Sequence, residues 1–112
     1  MLIRQEQIDA FSEPMMRGFE NRMATRLRSR FPEKLAGVSD DDLRQLIRAG
    51  IEKAQSYNVE LDADVSRYLE YITEYGPDFD ARTWALRVLG DAGLNGSRKM
   101  DLLDDVKTFE LR

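Results

Sequence analysis

The sequence predicts an all-α fold: a single compact bundle of about five helices, with a long N-terminal helix packed on a central helix pair. Three observations predict it. Apolar residues recur at helical spacing in five stretches. Each stretch is bounded by residues that start or stop helices, among them Ser39, Asn58, Gly76-Pro77 and Ser97. No segment alternates apolar and polar residues long enough to make a strand. With 112 residues the chain has the length of one domain, 1–112, and it contains no internal repeat or linker.

The first helix is expected over 4–31, with Ile8, Phe11, Met15, Phe19, Met23, Leu27 and Phe31 as its apolar stripe. Steps of four residues turn about 400°, so the stripe creeps about 40° per step. Such a helix lies across several partners or bends. Pro14 permits either a break near 11–14 or, capped by Ser12, a fresh first turn. Pro32 biases Phe31 away from helical dihedrals and should end the helix there. PEKLAG can make one short turn, and Gly37 then breaks the chain.

The central pair spans Leu43 to Tyr75. Its first helix starts at Ser39, an N-cap followed by Asp40, Asp41 and Asp42 in the positive first turn. Leu43, Leu46, Ile47, Gly50, Ile51, Ala54 and Tyr57 form one face, and Asn58 is a natural left-handed stop. Gly50 in mid-helix permits close approach by another helix, and the first helix is the expected visitor. After a short extended piece, Asp62 should cap a second helix over 63–75, with Val65, Tyr68, Leu69, Ile72 and Tyr75 on its face. Gly76-Pro77 ends it in the acidic loop GPDFD. A fourth helix over 81–90 places Trp84, Ala85, Val88 and Leu89 on one side, and Trp84 reads as core. Ser97 should cap the last helix, 98–110, with Met100, Leu103 and Val106 on one side and Leu102 and Phe109 nearby.

Composition excludes several chemistries. With no cysteine and no histidine, disulfides, thiolate nucleophiles, Cys/His zinc sites and histidine-based triads are absent. An enzyme would need tuned carboxylates, lysine or tyrosine. The expectation is therefore no catalysis, no cofactor and no metal. The apolar runs are too short to span a bilayer and the N-terminus lacks a signal-peptide core, so no membrane partner and a cytoplasmic location are expected.

Net charge is −4, but its distribution is two-ended. Residues 17–34 hold six basic and two acidic side chains. Residues 60–80 hold seven acids against Arg67 alone. Arg22, Arg26 and Arg30 form an i, i+4, i+8 ridge that either pairs within the fold, stays solvated, or grips a partner's carboxylates. Nucleic acid is disfavoured by the acidic balance. Asp78 and Asp80 flank Phe79 and can form a carboxylate pair or half a metal site, cap the next helix, or meet an arginine. Tyr71, with Tyr75 or Phe79, can form an exposed aromatic patch of the kind that anchors protein interfaces, unless Trp84 covers it. The candidate partner-binding residues are thus Arg22, Arg26, Arg30, Tyr71, Tyr75, Asp78, Phe79 and Asp80.

The stretches IRQEQIDAF, LIRAGIEKAQSYNVELDADVSRYLEYITEYGPDFD and WALRVLGDAGLNGSRKMDLL together cover most of the chain. They resemble a group of small helical bacterial proteins encoded beside type VI secretion effectors and spike components. Some of those act as adaptors or co-chaperones in effector loading. The resemblance implies protein binding without catalysis, the partner being an effector, an effector chaperone or a toxin, and it supplies no site residues. An immunity protein that binds and blocks a toxin, with the acidic 60–80 stretch mimicking nucleic acid, is the competing expectation. A carboxylate-based enzyme or metal-binding domain and a nucleic-acid binder follow. Self-association stays open.

Overall fold

The computed structural model describes residues 13–110, and the expectations for residues 4–12, including Ile8, Phe11 and the Ser12 cap, lie outside them. Among the described residues there are five α-helices: α1 (Glu13–Arg30), α2 (Asp40–Ser56), α3 (Asp62–Tyr75), α4 (Thr83–Leu89) and α5 (Gly96–Glu110). A 3-10 turn, Phe79–Ala81, precedes α4.

The start and stop signals act largely as the sequence predicts. α1 ends at Arg30, before Phe31-Pro32, and 32–37 is a run of turns. The Ser39 hydroxyl accepts the Asp42 amide at 3.1 Å, filling one of the open donors of the first turn of α2. Asn58 takes φ 64° and Gly76 takes φ 106°, and both lie just beyond a helix end. Two caps differ. Asp62 lies inside the first turn of α3 and makes no side-chain cap bond, because Leu61 occupies the capping position. Asn95, not Ser97, caps α5: its Oδ1 accepts the Arg98 amide at 2.8 Å. Ser97 turns inward and donates to Asp64.

Ion pairs give the helix directions. Arg28 meets Asp40 at 2.9 Å while Arg48 meets Glu20 at 2.6 Å, so α1 and α2 run antiparallel. Between α3 and α5 the contacts Asp64–Ser97, Arg67–Asp101, Tyr71–Asp104 and Glu74–Lys107 advance together, so those helices run parallel. The creeping stripe of α1 rests on both α2 and α3, which is how it finds more than one partner. Phe19, Met23 and Leu27 are buried, whereas Met15 is 46% exposed.

The core collects Leu43, Ile47, Ile51 and Ala54 from α2, Val65, Tyr68, Leu69 and Ile72 from α3, and Met100 and Leu103 from α5. Gly50 is a close-contact residue, but the visitor is α3 rather than α1. A Cβ there would collide with Leu69 and lie 2.8 Å from the Ile72 Cδ1. Helix phase explains this: the α2 side chains that reach α1, Arg44 and Arg48, lie well round the helix from Gly50.

Tyr68 is fully buried, and its hydroxyl has no hydrogen-bond partner among the described residues. A buried, unpaired hydroxyl costs about 1–3 kcal/mol. Tyr68→Phe is therefore expected to raise the unfolding free energy by about 1 kcal/mol, as half of that penalty or more is relieved. Urea denaturation at an unchanged slope checks it, and a clear loss of stability would refute it.

Candidate protein-binding groove

The side chains singled out from sequence divide into three groups. The first is paired or exposed on α1. Arg26 Nε lies 2.8 Å and Arg30 Nε 3.6 Å from the Glu70 carboxylate of α3, and the Arg22 guanidinium stands 6.0 Å over the Phe19 ring. The basic ridge thus meets the acidic half inside the fold. The arginine side chains are about half exposed (52% for Arg26, 55% for Arg30), so each pair contributes about 1 kcal/mol or less.

The second group is structural, which corrects the expectation of an exposed aromatic patch. Tyr71 is 4% exposed and Phe79 is 0% exposed. Their rings stack at 5.5 Å, Phe79 lies 5.0 Å from Tyr68, and Tyr75 meets Trp84 edge-on at 5.3 Å. Trp84 is half-buried at the outer side of this cluster rather than inside it. The Tyr71 hydroxyl donates to Asp104 Oδ1 at 2.7 Å. Tyr75 is half-buried, with the Arg82 guanidinium 5.8 Å from its ring centre. Sequence phase places Tyr71 off the main apolar face of α3. The fold buries it because the GPDFD turn and α4 bring a second apolar surface to that flank.

Asp80 belongs here too. It is 5% exposed, and it takes a 2.7 Å hydrogen bond from the Tyr57 hydroxyl and a 3.3 Å ion pair from Lys53. It neither caps α4 nor meets an arginine, because its turn folds back on the C-terminal end of α2. Asp80 thereby ties the 76–82 segment to α2.

All four tyrosines hold their protons above the usual value. For Tyr57 burial first, then the Asp80 hydrogen bond and charge, push the hydroxyl up to about 12. Burial also leads the upward shift of Tyr68, Tyr71 and Tyr75. A hydroxyl raised in the folded state contributes stability that is whole below the unfolded value of about 10 and is lost as pH rises through the folded value. Tyrosinate absorbance is therefore expected to stay low at about pH 10 and to appear together with the loss of helical circular dichroism above it. A tyrosinate step near pH 10 in the folded protein would contradict the burial described.

Asp78 stands in the third group: it is exposed and borders a groove. The groove has a volume of about 480 Å³ and runs between the outer side of α2 and the loop after α3. Leu46, Ala49, Gly50, Ile72 and Pro77 line it, with Glu52, Lys53, Ser56 and Asp78 along the rim. The short, exposed side chain of Ala49 leaves its floor open, while Gly50 beside it is covered by Leu69 and Ile72. The sequence singles out neither Ala49 nor Pro77 for a site, and it places Leu46 on the buried face of α2, where the structure leaves it half-buried at the edge of the groove. The adjacent Ala49-Gly50 pair in mid-helix was the signal that could have found them.

Two other clefts are chemically saturated. Beside Arg67 and Lys107, the cations already meet Asp64, Asp101, Asp104 and Glu74. Beside Arg44 and Arg48, both guanidinium groups meet buried Glu20. No set of three or more carboxylates placed to hold a metal occurs among the described residues, and none of their helices is long and apolar enough to cross a membrane. Comparison with protein-family models, with curated proteins and with solved structures finds no match to this chain.

Proposed function

We propose that the chain is a cytoplasmic, non-catalytic binding protein, an adaptor or co-chaperone for a type VI secretion effector or its chaperone. The observation that carries the binding part is the open apolar groove on α2, whose floor is Leu46, Ala49, Gly50 and Ile72. The effector context rests on the sequence resemblance alone. The lack of histidine and cysteine supports a non-catalytic role. So does the use of the buried carboxylates Glu20, Asp64 and Asp80 in internal pairs.

The immunity reading receives less support. Mimicry of nucleic acid needs free acids, and within 60–80 Asp64, Glu70, Glu74 and Asp80 are already engaged by Arg67, Arg26, Lys107 and Lys53. Capture experiments with the products of neighbouring genes test the adaptor. The expected result is a stable complex with an effector or its chaperone, and loss of effector export on deletion. A protein that elutes alone, with export intact after its deletion, ends the proposal. Rescue of cells from a co-expressed toxin would replace it with the immunity reading.

A further inference from the structure

We infer that the α2 groove receives an amphipathic helix whose apolar face is flanked by lysine or arginine. The inference deepens the adaptor reading and rests on it only for the partner being a protein. Four observations define the occupant. The groove walls are helices and a turn, with no strand edge among the described residues, so an extended peptide would find no ladder of open backbone groups. A helix satisfies its own backbone and needs none. The groove also has no aromatic side chain, which a polyproline segment would need. The nearby aromatic residues Tyr68, Tyr71 and Phe79 are packed in the core instead.

Size and charge complete the description. From Leu46 to Ser56 the α2 wall extends about 15 Å, the length of roughly three helical turns. Ala49 is exposed near its middle, and its short side chain is where a visiting helix can approach most closely, Gly50 being already covered by Leu69 and Ile72. The rim carries Glu52 and Asp78, neither with a cationic partner among the described residues. Its one cation, Lys53, is held by Asp80 at 3.3 Å. The rim therefore presents net negative charge on both sides of an apolar floor. Charge complementarity selects basic flanks and penalises acidic ones. Asp80 anchors the turn that carries Pro77 and Asp78 to α2 through Tyr57 and Lys53.

The test uses the full chain and three synthetic peptides of about 14 residues, some four helical turns. One has a leucine face with lysine flanks, one the same face with glutamate flanks, and one is the lysine peptide broken by a central proline. Fluorescence anisotropy reads binding. The lysine peptide is expected to bind at least about tenfold more tightly than either of the others, the difference being electrostatic for the second and conformational for the third. Ala49→Arg, at an exposed position, is expected to abolish binding. Glu52→Lys with Asp78→Lys is expected to invert the charge preference. Asp41→Lys with Asp105→Lys, an equal charge change away from the groove, is expected to leave it.

Equal loss in that control pair would show general attraction to an acidic protein and overturn the inference. Undiminished binding to Ala49→Arg, or to the proline peptide, would do the same. So would sedimentation showing that the chain self-associates through this face and that Ala49→Arg makes it monomeric. If circular dichroism shows Ala49→Arg unfolded, the charge inversion decides alone. The two readings fail separately. A captured effector unaffected by Ala49→Arg removes the groove and keeps the adaptor. Peptide binding without any captured neighbour does the reverse.

Discussion

Phe79→Ala is expected to lower the unfolding free energy by about 3–5 kcal/mol, the usual cost of deleting a fully buried aromatic ring. Phe79 is 0% exposed and lies within 5.0 Å of Tyr68, 5.5 Å of Tyr71 and 6.1 Å of Trp84, ring centre to ring centre. Its removal leaves a cavity at the junction of α3, the 3-10 turn and α4, and none of the remaining rings can refill it without leaving another contact. The same turn carries Asp80, so the tie to Lys53 and Tyr57 should loosen as well. Denaturant melts of the two proteins check the magnitude. If Phe79→Ala kept its stability and lost only partner binding, Phe79 would be a surface anchor and the burial described here would be refuted.

Gly96→Ala is expected to cost about 3 kcal/mol, at the upper end of overpacking penalties. A Cβ at 96 would fall 2.9 Å from the Val59 Cα and 3.1 Å from the Asn58 carbonyl carbon, and would overlap the Asn58 oxygen. All three are backbone atoms, so no rotamer change relieves the clash. Asn58 is moreover held at φ 64° and Val59 is fully buried, which limits how far this strand of chain can retreat. Alanine is the better helix former by up to about 1 kcal/mol, and the clash must outweigh that gain. Thermal unfolding is a sufficient measurement, with about 4–8 °C lost per kcal/mol in a domain of this size. An unchanged midpoint would mean that α5 does not dock against the 58–59 segment as described.

Phe79 and Gly96 also show where sequence reading stops. Helix limits were legible because they depend on nearby residues: Ser39 reaches an amide three residues on, Asn58 and Gly76 accept the left-handed region, and Pro32 acts on Phe31. The Asn95-Gly96 pair has the local chemistry of a turn, yet the close contact of Gly96 is with residues 58 and 59, far away in the chain. Gly50 was readable as a close-contact residue, but not the identity of the visitor, since Leu69 and Ile72 rather than α1 fill the space. Asp78 and Asp80 are two residues apart and chemically identical. One is exposed on the groove rim and the other buried against Tyr57 and Lys53.

Fold class, approximate helix limits, the exclusion of cysteine and histidine chemistry and the two-ended charge are all written in the order and kind of residues. These follow from period, local dihedral preference and composition, all of which act over one or two helical turns. Which side chains reach the surface was set by the packing of the helices. It placed Tyr71 and Phe79 inside, joined Arg26 and Arg30 to Glu70, and left Leu46, Ala49 and Pro77 around an open groove. Exposure depends on which elements arrive from elsewhere in the chain, and helical phase on one element does not carry that information.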